Sequence, residues 1–234
     1  MTGLEIFLDG SAVWGCLLTL VAFAFATFLN RKTGKAWCNP LLLAALVVIA
    51  FLSVTRIPYE KYRASAAPIS YLLLPATVSL AVPLYEKWEL LKKNALPILS
   101  GILVGTLTSM GSILLLSWGM QLTPEQCATM LPKSVTAAIG VDISAELGGI
   151  PALTNALIVV TGITGNLLAE AVCRLFRITS PIAKGVGIGT ASHAIGTARA
   201  LELGPTEGAM SGLAIGVAGT LTAVLAPFFM MLAK

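Results

Sequence analysis

The residues best suited to chemistry lie between Gly185 and Glu202. That stretch holds the chain's one histidine, His193, four glycines (Gly185, Gly187, Gly189, Gly196), three hydroxyls (Thr190, Ser192, Thr197) and Arg199. Two further segments, Pro75–Pro83 and Pro132–Gly149, combine proline or glycine with hydroxyls: Thr77 and Ser79 in the first, Ser134 and Thr136 in the second. Interrupted helices expose N-terminal N–H groups and a partial positive charge, and transporters place anionic substrate at such ends. Lys133, His193, Arg199 and Lys184 are the cations beside these breaks. Two or three of these cations converging with helix N-termini would form an anion site, and with many hydroxyls they suit a small hydrophilic carboxylate better than a lipid or a bare cation. The expected substrate-binding set is Thr77, Ser79, Lys133, Ser134, Thr136, Thr190, Ser192, His193 and Thr197.

Each of these residues also has a plainer reading. Arg199 and Glu202 are i,i+3 neighbours and can simply pair. A lone histidine in an apolar helix can be a hydrogen-bonded structural group, although ionisable residues at membrane depth usually serve function. Imidazole, which titrates near neutrality, also suits proton coupling. Asp142 and Glu146, i,i+4 on one face, form either a proton or cation pair or a solvated surface pair. Gly101-xxx-Gly105 and Gly212-xxx-Gly216 fit close helix packing better than ligand contact. No Cys/His pair, metal cluster, phosphate loop or serine elbow is present, and the four cysteines are scattered. The Gly-x-Gly run at 185–189 follows no strand, so a dinucleotide site fails on context. The expectation is a protein that is not an enzyme and needs no cofactor or metal.

The elements that must position these residues are set by composition. Charged residues make up 11% of the 234, against roughly 25% in soluble domains, and mean hydropathy is +0.88. A helix needs about 20 mainly apolar residues to cross the hydrocarbon core. Spans are expected at 11–29, 40–56, 66–85, 95–119, 151–173, 181–201 and 208–232, with 132–148 as a shorter segment. The predicted class is therefore an all-α polytopic membrane protein, a single transmembrane domain over 1–234. It has about seven to eight transmembrane segments, some discontinuous or re-entrant.

The net charge of +4 reflects basic loops such as Arg31, Lys32 and Lys35, as in cytoplasmic loops, and no nucleic-acid partner is expected. Those residues and Lys87, Lys92 and Lys93 place two loops inside, while Arg56, Lys61 and Arg63 argue the other way. A re-entrant 132–148 puts Arg174, Arg177 and Lys234 in the cytoplasm; a crossing segment reverses that. The first run has no basic leader before it, so no cleavable signal is expected.

Leu74-Pro75-Ala76-Thr77-Val78-Ser79 echoes Leu131-Pro132-Lys133-Ser134-Val135-Thr136. The shared pattern, Leu-Pro-x-hydroxyl-Val-hydroxyl, marks a possible internal repeat or two ordinary proline-started helices. At these two stretches, at Gly148-Gly149-Ile150-Pro151-Ala152-Leu153-Thr154 and at Gly189-Thr190-Ala191-Ser192-His193-Ala194-Ile195-Gly196-Thr197, the chain resembles the LrgB/CidB family of bacterial membrane proteins. The likeness extends through Leu221-Thr222-Ala223-Val224-Leu225-Ala226-Pro227 and so covers nearly the whole chain. One departure is Ala137-Ala138, where many relatives carry Thr-Pro.

The resemblance implies two functional pictures. One is a holin/antiholin-like modulator of murein hydrolase activity and lysis, with a small LrgA/CidA-type membrane partner. The other is carriage of small monocarboxylates, as in the related plant chloroplast glycolate/glycerate translocator and in members linked to pyruvate uptake. A lysis pore has little use for paired broken segments carrying a histidine, cations and hydroxyls. The residues therefore favour an alternating-access carrier of a small 2-hydroxy or 2-oxo acid in the bacterial cytoplasmic (inner) membrane, working in the lipid bilayer. A cation/proton exchanger built on Asp142 and Glu146 is a third reading. A chain this short needs a fixed scaffold to move against, so a homodimer is expected.

Overall fold

The computed structural model describes residues 13–33, 40–79 and 81–233, with the backbone alone at Leu73, Leu74, Thr77, Pro83 and Leu84. The described residues are mostly helical, with no strand among them. They divide into two compact units, Met1–Ser79 and Leu80–Lys234.

In the first unit, α1 (Trp14–Thr33), α2 (Pro40–Thr55) and α3 (Tyr59–Tyr71) precede a short α4 (Leu73–Ser79). Small residues let α1 and α2 meet closely: Ala22, Ala26, Ala44 and Val48 form their shared core. Gly15 brings α1 against α3, and its N–H donates to Ser65 Oγ at 3.1 Å. Tyr62 adds a hydroxyl contact of 2.7 Å with Thr19. The stretch 66–85, expected as one span, is instead interrupted at Leu72, between α3 and α4, and α5 (Ala81–Glu86) belongs to the second unit. Pro75 occupies the third position of α4. In a first turn the missing N–H costs nothing.

The second unit continues with α6 (Trp88–Lys93), α7 (Ala95–Gly119), α8 (Pro124–Met130), α9 (Ala137–Glu146), α10 (Pro151–Leu175), α11 (Pro181–Leu203) and α12 (Pro205–Leu232). Proline opens α8, α10, α11 and α12 within the first two positions, which explains their sharp starts. Thr123 adds a capping box to α8, accepting from Gln126 N–H at 3.2 Å while Gln126 Oε1 accepts from Thr123 N–H at 2.9 Å. The expected segment 132–148 consists of a non-helical turn at 131–136 followed by the ten-residue α9. The Leu-Pro echo thus takes two backbone forms, helical at 75–79 and a turn at 132–136.

Four helices among the described residues are long and apolar enough to cross a membrane: α1, α7, α10 and α12. Only 17–33% of the most apolar stretch of each is buried. Side chains such as Leu20, Phe28, Leu115 and Phe228 face outward, a surface suited to lipid rather than water. Helix α11 is as long but more polar, and it packs against α7, α10 and α12. Gly185 and Gly189, one turn apart, allow the approach of α12: a Cβ on Gly185 would stand 2.8 Å from Met210 Cβ, and one on Gly189 would stand 2.8 Å from Ser211 Cα.

Candidate functional site: a hydroxyl-lined cavity beside a broken helix

Helix α11 carries its break at His193, with φ 42° and ψ −143°. Glycine was the expected agent of a break in this stretch, yet Gly185 and Gly189 sit in regular helix and serve packing. The left-handed φ belongs to histidine, a conformation that costs a non-glycine residue roughly 1–3 kcal/mol unless its surroundings hold it.

The surroundings here do so in three ways. His193 is 3% exposed and its Nε2–H donates to the Ile158 carbonyl of α10 at 2.9 Å. The His193 carbonyl accepts from Thr197 Oγ1 at 2.9 Å. The Ile195 carbonyl accepts from Asn166 Nδ2 at 2.9 Å. Room for this arrangement comes from Gly162 and Gly165 on α10. A Cβ at Gly162 would lie 2.7 Å from His193 Cε1, and one at Gly165 would overlap the Ser192 side chain.

On another side of α11 lies a small cavity with about 10 Å³ of space for a water-sized body. Thr106 and Ser109 of α7, Ser134 of the 131–136 turn, Thr190 of α11 and Thr222 of α12 supply its polar wall. Ser109 and Ser134 hydroxyls are 2.9 Å apart, and Lys133 Nζ donates to Ser134 Oγ at 3.1 Å. Thr190 donates to the Val186 carbonyl at 2.8 Å. Thr106 Oγ1 is buried without a hydrogen-bond partner. A buried, unpaired hydroxyl costs about 1–3 kcal/mol, so this cavity wall is poised for one more polar atom.

The expected site residues therefore distribute as follows. Ser134, Thr190 and, through Ser134, Lys133 meet at the cavity. Ser192 and His193 face α10 instead, and Thr197 Oγ1 lies 2.6 Å from Ser211 Oγ of α12. Thr136 is half-buried and precedes α9 as its N-cap, without a side-chain capping bond. Ser79 belongs to the first unit, is exposed and donates to the Ala76 carbonyl at 2.7 Å. The Thr77 side chain lies outside the described residues.

Among the neighbouring cations, Arg199 is already neutralised, by Glu170 at 3.1 Å and Glu202 at 2.5 Å. Lys133, half-buried, makes no ion pair among the described residues. Asp142 and Glu146 are exposed on α9.

Sequence reasoning missed Thr106, Ser109 and Thr222. The available signal was the i,i+3 spacing of Thr106 and Ser109, which puts them on one face of α7 among its several hydroxyls. It also missed the anchor of the turn: Thr154 Oγ1 lies 2.7 Å from Ser144 Oγ and 2.9 Å from the Thr129 carbonyl, and Thr129 Oγ1 accepts from Ile150 N–H at 2.9 Å. These three hydroxyl residues are fully buried and tie α8, α9 and α10 together around the turn that carries Lys133 and Ser134.

No solved structure matches the chain. The family model for the LrgB-like family matches residues 19–232, which takes in α7 to α12 and every cavity residue named above. With its long apolar helices, this multi-pass membrane protein belongs to the LrgB-like family.

Proposed function

We propose that the protein is a secondary carrier of small 2-hydroxy or 2-oxo monocarboxylates in the bacterial cytoplasmic membrane, working by alternating access as a homodimer. The observation that carries this reading is the hydroxyl cluster at the Lys133–Ser134 turn. It sits beside a broken helix and includes the unpaired Thr106 hydroxyl. In this reading Lys133 offsets the carboxylate charge. Ser134, Ser109 and Thr190 orient its oxygens, and Thr106 takes the 2-hydroxy or 2-oxo oxygen. Ser192, His193 and Thr197 shape the break rather than touch substrate.

A cavity of water size is a closed state, so loading requires the 131–136 turn or part of α11 to move. The break at His193 is a natural hinge, because a few terminal residues of a helix can absorb the φ/ψ change. The re-entrant course of 124–150 belongs to the same reading: two short helices and a turn, held by the Thr129–Ser144–Thr154 network, reach the site without crossing. A small LrgA/CidA-like membrane protein is a candidate regulatory partner.

Uptake of labelled glycolate, glycerate, pyruvate and lactate into proteoliposomes tests the proposal. A charge-assisted hydrogen bond is worth about 1.5–3 kcal/mol, so Lys133→Gln should raise KM about ten- to a hundredfold. Uptake of none of the four acids, or a Lys133→Gln protein that transports like wild type, overturns it. Release of a trapped dye without acid selectivity would identify a pore former instead.

A further inference from the structure

A second cavity opens where α10 ends and α11 begins. It has about 520 Å³ of space and is lined by Glu170, Arg174, Arg177, Thr179 and Lys184, within the range of ordinary ligand pockets. Its charge is unbalanced. Glu170, the sole carboxylate among its lining residues, is engaged by Arg199 at 3.1 Å and by Arg174 at 3.5 Å. Arg177 and Lys184 have no ion-pair partner among the described residues.

The backbone adds a second observation. The chain leaves α10 through Arg177 at φ 54°, with Ile178 N–H closing onto the Cys173 carbonyl at 2.8 Å. This is the position in a helix-ending turn where glycine is favoured. An arginine there places a guanidinium at the cavity despite the backbone's preference.

The location is defined by length. Helix α10 has 25 residues, about 37 Å at 1.5 Å per residue, and the hydrocarbon core is about 30 Å thick. An apolar helix of that length puts Arg174 to Arg177 at headgroup level. Between the two arginines, Leu175 is 76% and Phe176 70% exposed. A large apolar pair in the middle of a basic rim matches a ligand with an anionic head and an acyl tail, and a free anion would leave it in water.

We propose that this cavity binds the phosphodiester headgroup of an anionic phospholipid, with Arg177 and Lys184 on the phosphate and the acyl chains along Leu175 and Phe176. Basic pockets at helix ends on the membrane surface hold such headgroups by charge and by multiple N–H donors. Arg177 serves as the fork-shaped donor and Lys184 as a point charge.

Thermal unfolding of the detergent-purified full chain tests this, with added phosphatidylglycerol, phosphatidylcholine or inorganic phosphate. Phosphatidylglycerol should raise Tm by several degrees, and phosphatidylcholine and inorganic phosphate should not. Arg177→Gly should melt at or above wild type in detergent alone, because glycine relieves the left-handed turn, yet lose most of the phosphatidylglycerol shift. Lys184→Gln should lose part of it. Arg31→Gln/Lys32→Gln, which removes two charges outside the cavity, should keep it. An equal shift with phosphatidylcholine, a shift produced by inorganic phosphate alone, or an Arg177→Gly/Lys184→Gln protein that keeps the wild-type shift would each overturn the proposal.

Discussion

Replacing Gly165 by alanine tests how α10 and α11 hold the broken segment. A Cβ at 165 would lie 2.5 Å from Ser192 Cβ and would overlap Ser192 Oγ. Rotating Ser192 moves its hydroxyl but leaves its Cβ in place, so the helices must separate by about 1 Å to reach carbon contact distance. Overpacking of this kind costs about 1–3 kcal/mol. Separation also stretches the Asn166–Ile195 and His193–Ile158 hydrogen bonds, each worth about 1 kcal/mol. Alanine's better helix propensity returns roughly 1 kcal/mol. The net expectation is a loss of about 1–3 kcal/mol, seen as a Tm several degrees lower in detergent.

Gly187→Ala is the internal control. Nothing lies within 4 Å of its Cβ position, so its Tm should stay level or rise. Adding Ser192→Gly to Gly165→Ala removes the clashing atoms and should recover much of the loss. The reasoning fails if Gly165→Ala melts with wild type, or if Gly187→Ala falls as far.

Three further outcomes follow from the same geometry. Thr154→Val strips the hydroxyl shared by Ser144 and the Thr129 carbonyl and should destabilise by about 1–3 kcal/mol, read as a lower Tm. Thr123→Ala removes the α8 capping box and should cost about 1 kcal/mol, visible as earlier hydrogen exchange across 124–130. Thr106→Val deletes the unpaired hydroxyl at nearly constant shape, so Tm should hold or rise while the KM for a 2-hydroxy acid increases. An unchanged KM would remove Thr106 from the proposed site.

Much of this protein was legible without coordinates, for local reasons. Prolines at 97, 151, 181 and 205 begin or closely follow helix starts because a proline fits best in a first turn. The expected spans 95–119, 151–173 and 181–201 accordingly lie within a few residues of α7, α10 and α11. The stretch 66–85 reads as a span from its apolar content alone, while the structure interrupts the helix at Leu72. The Arg199–Glu202 pair was legible too, since i,i+3 neighbours on a helix meet whatever surrounds them.

What tertiary structure alone decided is which polar groups share a space. Ser134 and Thr190 lie 56 positions apart and meet across one cavity, whereas Ser192, two residues from Thr190, faces another helix. Sequence spacing cannot express that choice. It depends on where a neighbouring helix is thin, at Gly162 and Gly165, and on the break that turns Ser192 and His193 toward it. Composition determined that this chain is helical and belongs in a membrane, because burying backbone in lipid leaves few alternatives. The position of the break at His193 was decided by α10, through the Ile158 carbonyl and two missing side chains.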